Sequence, residues 1–477
     1  MGKKNGFWRL SVVVAAALVW TVGADVRSET TIYPAPQGEA VEGAYVVKVD
    51  GKALDIYSAQ DQEEGSGEYY FTSFDFDGKV KIEISAPFSL VDATVAPERF
   101  GVKVVEKTVG KAVLEAEKPF QISFEPNKRV KPLLIFGNAP EIDAPKPGDK
   151  DVVYFGPGVH RPGKLTLTDG QTLYLAGGAV VKGAVEARGK NIVVRGRGIL
   201  AGEESPRFQG PGRFMLDCVD CENQTVRDIT IRNPWSWTFV LWNCDGATID
   251  GVKICGSRMI NDDALDLVNS SNIIVKNCFF RTQDDSIAVK GMIAGGPACE
   301  NIAVEDCVFW TDRANIFRVG YECECEGMRA ICAKNIDILY YSVNYRDPSE
   351  YWANALIWLQ PNQKMTMEDC RFENFSVRAD GGDIIALMAK PMSCSYGAFE
   401  NPTPGRLTNC SFVNFNVWGE KGNFNGMIFV KGASETSDVD GLRFENIVYF
   451  GEKIGKDAAC VRIEGFAENI EFAEKTE

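Results

Sequence analysis

A short apolar–polar unit recurs through the middle and end of this chain. It limits the possible folds more than any other feature. Residues 225–231 read TVRDITI, and the pattern returns at 248–254 (TIDGVKI), 274–280 (IVKNCFF) and 302–309 (IAVEDCVF). Later copies stand at 367–372, 407–412 and 444–449. Matching positions Ile229, Val252, Cys278 and Cys307 lie 23, 26 and 29 residues apart, and later intervals are longer, as expected if loops have been inserted. The alternation inside each unit has the period of a strand, and no helical period is sustained. Short strands repeated at this interval cannot bury an apolar face alone. They bury it by stacking coil on coil, which is a parallel β-helix.

Before the repeats the pattern differs. Residues 45–49, 80–84 and 120–124 alternate strictly between apolar and polar side chains, with Gly and Asp turns at short spacing. This predicts a small β-sandwich. The proline-rich stretch 139–148 reads as a linker. Residues 3–9 are basic (Lys3, Lys4, Arg9), and 10–20 form an apolar core too short to span a bilayer. Small residues follow at 22–24, so the start reads as a secretory leader. The expected division is therefore a leader at 1–24, a β-sandwich at 25–145 and a β-helix at 146–477. The expected location is secreted or periplasmic, with no stable membrane insertion after cleavage.

A net charge of −15 argues against nucleic acid as a partner. It also weakly disfavours a polyanionic substrate. All 14 cysteines lie between Cys218 and Cys460. Cys278, Cys307, Cys370 and Cys410 each follow Asn or Asp and precede an apolar run, which predicts one stacked ladder of buried thiols. Cys218–Cys221 and Cys323–Cys325 are the better candidates for bridges. The single histidine, His160, and the lack of a second C-x-x-C argue against zinc.

The candidate chemistry lies between Asn261 and Lys290. Asp262, Asp263 and Asp266 form one acidic cluster, and Asp284 and Asp285 form another, with Asp263 and Asp284 21 positions apart. A coil of about that length brings them side by side. Carboxyls so gathered push each other's pKa values apart, which gives one donor and one acceptor at a single pH. Asp284 and Asp285 are neighbours, so both reach one cleft only if the strand bends or bulges there.

Asn261, Asp262, Asp263 and Asp266 resemble the N-T-D-x-x-D motif of the polygalacturonase-like glycoside hydrolases, a family of the right-handed β-helix, pectate-lyase-like superfamily. Residues 283–290 (QDDSIAVK) resemble that family's D-D-C-I-A-I-K, with Ser for Cys. The resemblance covers about residues 150–470. It implies Asp284 as the general acid and Asp263 with Asp285 as the groups that activate water. It also implies inversion without metal or organic cofactor. Inversion calls for carboxyls roughly 6.5–9.5 Å apart. The family's G-H-G and R-I-K motifs have no convincing copy. Residues 310–315 and 356–358 stand near where they would fall. The added N-terminal sandwich resembles the dextranase and isopullulanase family, which cleaves neutral α-glucans. A polysaccharide or oligosaccharide is thus the expected partner, with preference for a neutral or differently decorated glycan.

Asp266, Lys290, Trp310, Arg313, Arg318 and Tyr321 are the candidate substrate-binding residues. Trp235, Trp237, Trp242, Trp352 and Trp358 are further candidates for stacking on sugar rings, although at least half of the tryptophans are expected inside the coils. Two rival readings remain. One is a polysaccharide lyase on the same scaffold, commonly Ca²⁺-assisted. The other is a non-catalytic glycan-binding solenoid.

Overall fold

The computed structural model describes residues 29–61, 67–342, 354–380, 385–394, 403–422 and 424–474. The expected leader, residues 1–24, and Trp352 lie outside them.

Alternation in the N-terminal part produces two facing sheets. One runs in the order Glu29–Ile32, Glu68–Asp77, Leu133–Asn138, Phe120–Glu125, Thr94–Ala96. The other runs Lys52–Leu54, Val46–Val49, Val80–Ser85, Lys111–Ala116, Lys103–Lys107. Every second residue points inward, so Val47, Ile82 and Leu114 meet Phe74, Phe120 and Ile122 in one core. This is the expected β-sandwich.

Among the described residues from Val152 onward, 30 strands join in one continuous system, almost entirely parallel, that winds as a right-handed β-helix. In the middle of the helix each coil has three strands. Ser271–Lys276, Phe279–Thr282 and Ile287–Gly291 make one such coil. Inward residues stack in register from coil to coil. Phe372, Phe412, Phe444 and Phe472 form one near-parallel pile, with ring centroids 5.4, 5.2 and 4.7 Å apart.

Turns between strands are fixed by a second ladder. Asn277, Asp306, Asn335, Asn374, Asn414 and Asn446 all have φ between 51° and 58°, a left-handed conformation that Asn and Asp tolerate better than other side chains. Their side chains bond to the next coil, as in Asn374 Nδ2 to Asn335 Oδ1 and Asn414 Nδ2 to Asn374 Oδ1, both 2.9 Å. A second set of left-handed turns, including Asn272, Asn301, Asp369 and Asn409, repeats at another corner.

Two corner sets correct the reading of the cysteines. Cys278 and Cys307 are buried and stacked, as expected. Their column continues, however, into Ile336, Phe375 and Phe415. Cys370 and Cys410 stack in a different column, above Ile331 and below Leu442. The motif Asn/Asp-Cys occurs at both corners, so the expected single ladder is two ladders. The expected bridges are absent as well, since all fourteen cysteines are free thiols. Cys221 Sγ instead donates to Ala187 O at 3.2 Å, and Cys325 Sγ donates to Gly327 O at 3.3 Å. They fill the interior as small apolar groups.

The sandwich lies against one sheet of the β-helix. Tyr69, Phe71, Leu134 and Phe136 pack on Cys255, Phe279, Val308 and Trp310. Buried ion pairs cross the seam: Asp75–Arg197 at 2.8 Å, Glu39–Arg232 at 2.7 Å, Asp61–Arg281 at 2.6 Å and Glu125–Arg378 at 3.0 Å.

Candidate active site

The chain turns a corner where the sheet facing the sandwich gives way to the sheet of Leu265–Val268, Ile287–Gly291 and Phe317–Cys323. The aspartates sit on this corner in successive coils. Ala264 N donates to Asp285 O at 2.9 Å and Ser286 N to Asn315 O at 2.9 Å, which stacks the corners in register. Asp263, Asp284 and Asp285 each bring a carboxylate oxygen within 4.8 Å of the others.

Of the two expected ways to bring Asp284 and Asp285 to one place, a bend or a bulge, the chain uses a bend between two strands. One geometric expectation changes: the oxygens approach more closely than the separation of roughly 6.5–9.5 Å associated with inversion.

Lys290 lies beside them on Ile287–Gly291, 3 % exposed. Its ammonium is 2.8 Å from Asp266 and 3.2 Å from both Asp263 and Glu322. It also lies 3.5 Å from the centre of the Trp237 ring. Arg318 Nη1 is 3.8 Å from Asp285 Oδ2, and its guanidinium covers the Tyr321 ring at 4.5 Å. Asp285 is oriented by Asn315, whose Nδ2 donates to Asp285 Oδ1 at 2.6 Å while its backbone N–H does so at 3.0 Å.

Five carboxyl groups thus surround two cations in a largely dry corner. Burial pushes the Asp263 carboxyl well above the ordinary carboxylate range; Lys290 opposes this, while Asp266, Asp284 and Asp285 add to it. Burial raises Asp266 to about 7 despite Lys290. Asp284 is raised by burial and then by Asp285. Burial disfavours the Lys290 ammonium, yet Asp263, Asp266 and Glu322 hold its pKa well above the lysine value. Upward pressure falls on three aspartates together, so protons are shared across the cluster and Asp284 is not singled out.

The expected substrate-binding residues divide. Asp266 is fully buried and serves Lys290. Lys290 is enclosed by carboxylates and does not project into open solvent. Trp310 is 1 % exposed at the domain seam, with Nε1 donating to Asp312 at 2.8 Å, so it offers no face to a sugar. Tyr321 is buried beneath Arg318, and Arg313 and Arg318 are half-buried. Trp235 and Trp358 are inside the protein, whereas Trp237 and Trp242 are partly exposed, Trp237 against Lys290 and Trp242 against Arg213. Asp262 is structural, accepting the backbone N–H groups of Ser257, Gln283 and Asp284 at 2.5, 2.7 and 3.1 Å.

Glu322 and Asn315 were missed from sequence. The register between Ile287–Gly291 and Phe317–Cys323 shifts between Val289 and Gly291, and Tyr321 has φ 70°. That irregularity brings Glu322 to Lys290. Val289 pairs with Val319 and Gly291 with Cys323, so two extra residues are inserted there, and counting along the strand does not place a residue beyond them.

Residues 187–311, which contain all three aspartates, match the model of Glycosyl hydrolases family 28. A polygalacturonase from Juniperus ashei is 32 % identical over 83 residues, 17 % of this chain and 15 % of that protein. One from Chamaecyparis obtusa is 31 % identical over 85 residues, 18 % and 15 % of the two chains. The match thus spans only 15 % of the length of these curated relatives. Among solved structures, Dex49A from Penicillium minioluteum has a TM-score of 0.69 at 15 % identity, covering 92 % of this chain and 96 % of that one. The Family 28 exopolygalacturonase of Yersinia enterocolitica has a TM-score of 0.52 at 14 % identity, covering 94 % and 97 %. The shared fold therefore includes the N-terminal sandwich as well as the coils. The acidic corner thus lies within the stretch that matches Glycosyl hydrolases family 28, set in a right-handed parallel β-helix.

Proposed function

We propose that this chain is an exported glycoside hydrolase that cleaves a polysaccharide or oligosaccharide by acid–base catalysis. The observation that carries this reading is the convergence of Asp263, Asp284 and Asp285 within 4.8 Å beside the buried Lys290. Glycoside hydrolysis needs one protonated and one ionised carboxyl group at the scissile bond, and burial that raises Asp263 and Asp284 favours a protonated member in this cluster. Asp284, the one member of the three that is not fully buried, protonates the leaving oxygen. Asp263 and Asp285 activate a water that attacks the anomeric carbon. Asp263 Oδ1 is suited to this, because it is buried and has no hydrogen-bond partner among the described residues. Inversion is what the family resemblance implies, against the close spacing of the oxygens, and the anomeric configuration of the product decides it.

The substrate is a neutral or differently decorated glycan. Lys290 is already surrounded by carboxylates and Arg318 faces Asp285, so a uronate would enter a negative field. The departures at the G-H-G and R-I-K positions point the same way. Purified protein, incubated with neutral and anionic polysaccharides and read by new reducing ends, tests the reading. Brisk hydrolysis of unmodified polygalacturonate overturns the substrate preference. Retained anomeric configuration in the first product, seen by proton NMR, overturns inversion.

The lyase reading has one observation in its favour: three carboxylate oxygens within 4.8 Å could also hold a divalent cation. Lyase products absorb in the near ultraviolet, so the same incubations separate the two.

A further inference from the structure

A buried chain of polar contacts runs from the N-terminal sandwich to the acidic corner. We propose that Asp61 and Arg281 are positioning residues, through which the sandwich fixes the backbone that carries Asp284. This rests on the hydrolase reading above. Arg281 is the penultimate residue of the strand Phe279–Thr282, three residues before Asp284. Its guanidinium lies between the rings of Tyr69 and Trp310, 3.9 and 4.4 Å from their centres. Nη2 donates to Asp61 Oδ2 at 2.6 Å, and Nε donates to Asp312 Oδ2 at 3.2 Å.

Asp312 carries the contact onward, accepting from Trp310 Nε1 at 2.8 Å and from Ser257 Oγ. Ser257 N donates to Asp262 Oδ2, and Asp262 Oδ1 receives the N–H groups of Gln283 and Asp284. Three successive corners, at 256–262, 281–285 and 310–312, are thereby tied to one residue of the sandwich. Tyr69 adds a parallel tie, its hydroxyl donating to Gly256 O at 2.9 Å. Gly256 must be glycine here, because a Cβ would stand 2.8 Å from Arg281 O and 2.9 Å from Asp262 Oδ2.

A proton donor must be aimed, and a misplacement of about 1 Å can cost about 10² in rate. The chain reaches Asp284 through its backbone, so its loss moves the donor without touching substrate. The signature is a fall in kcat at constant KM. Stability alone does not give that signature, and a second buried ion pair across the seam provides the control. Glu125–Arg378 joins the same two domains at 3.0 Å and touches none of these corners.

The test compares Asp61→Asn with Glu125→Gln in the full chain, on whichever glycan the wild type cleaves. Assays run well below the Tm of each variant. Asp61→Asn should lose about tenfold or more in kcat with KM within twofold of wild type. Glu125→Gln should lower Tm with kcat unchanged. Tyr69→Phe, which deletes one hydroxyl, should lower kcat by about threefold at constant KM and stands in if Asp61→Asn does not fold. Wild-type kcat in the folded Asp61 variant, or an equal loss of kcat in Glu125→Gln, overturns the proposal while leaving the hydrolase reading intact. A wild type that releases no reducing ends from any glycan overturns both.

Discussion

Lys290 and Arg281 are buried to nearly the same depth, 3 % and 2 % exposed, on neighbouring strands of one coil, yet their surroundings differ. Arg281 has two carboxylate partners, and both oxygens of Asp312 receive donors. Lys290 has three carboxylate partners, with Asp284 and Asp285 close by. Asp263 Oδ1 and Asp266 Oδ2 accept no hydrogen bond among the described residues, and Asp266 Oδ1 has only the Lys290 ammonium, 2.8 Å away. A buried carboxylate with filled lone pairs is scaffolding. One with spare lone pairs costs stability, and it persists where that capacity is used in chemistry.

The comparison makes its largest prediction at Asp284. Asp284→Asn keeps the shape and removes the proton, so kcat should fall by about 10²–10⁴ with the melting curve little changed. Asp263→Asn and Asp285→Asn should also impair turnover. Near-normal kcat in folded Asp284→Asn would erase the distinction between the two clusters.

Lys290→Met should be felt in both stability and pH dependence. It strands Asp263, Asp266 and Glu322 without their cation, which is expected to cost about 3–5 kcal/mol in denaturant unfolding. Removing a positive charge raises carboxyl pKa values, so the acidic limb of the kcat/KM profile should move to higher pH. A limb that stays or moves lower would detach Lys290 from the catalytic carboxyls.

Asp266 gives a smaller effect with a defined sign. Its folded-state pKa is raised from 3.8 to about 7. Between those values the folded protein holds a proton that the unfolded chain has lost. Stability therefore falls as pH rises through this window and levels off above it. Asp266→Asn should remove up to about 1.4 kcal/mol per pH unit of that slope, measured by urea unfolding across the window. An unchanged slope would mean that other carboxyls carry the shared proton.

The smallest effect lies outside both clusters. Asn374→Ala removes the ladder bonds to Asn335 and Asn414 and leaves Ala at φ 58°. A loss of about 1–2 kcal/mol with kcat unchanged is expected. A change in kcat would show that the corner responds to any disturbance of the coils.

Much of the architecture was legible in local sequence, because the signals that encode it are local. Period-two alternation placed strands at Val46–Val49, Val80–Ser85 and Phe120–Glu125, and the recurring unit announced coils. The acidic motifs brought Asp263, Asp284 and Asp285 together, since residues one coil apart are neighbours. What escaped depends on contacts that alternation does not encode. Glu322 reaches Lys290 only after a register shift, and Trp310 was placed in the cleft because nothing in its neighbourhood shows that Tyr69 and Arg281 enclose it. Asp61 and Arg281 are 220 positions apart. The two thiol columns were merged because the same dipeptide marks two corners.

The seam also has a consequence in time. Coils can close on their predecessors as the chain emerges, since each pairs with the one made just before. The sandwich emerges early, but its contacts with the coils extend as far as Arg378, 253 positions after Glu125. Until the coils that carry Phe279, Arg281 and Val308 exist, Phe71, Leu134 and Phe136 lack part of their apolar cover and Asp61 lacks its arginine, while Glu125 waits longer, for Arg378. A nascent chain that stops before those coils therefore carries an exposed apolar face, and the finished molecule is completed by the closing of that seam.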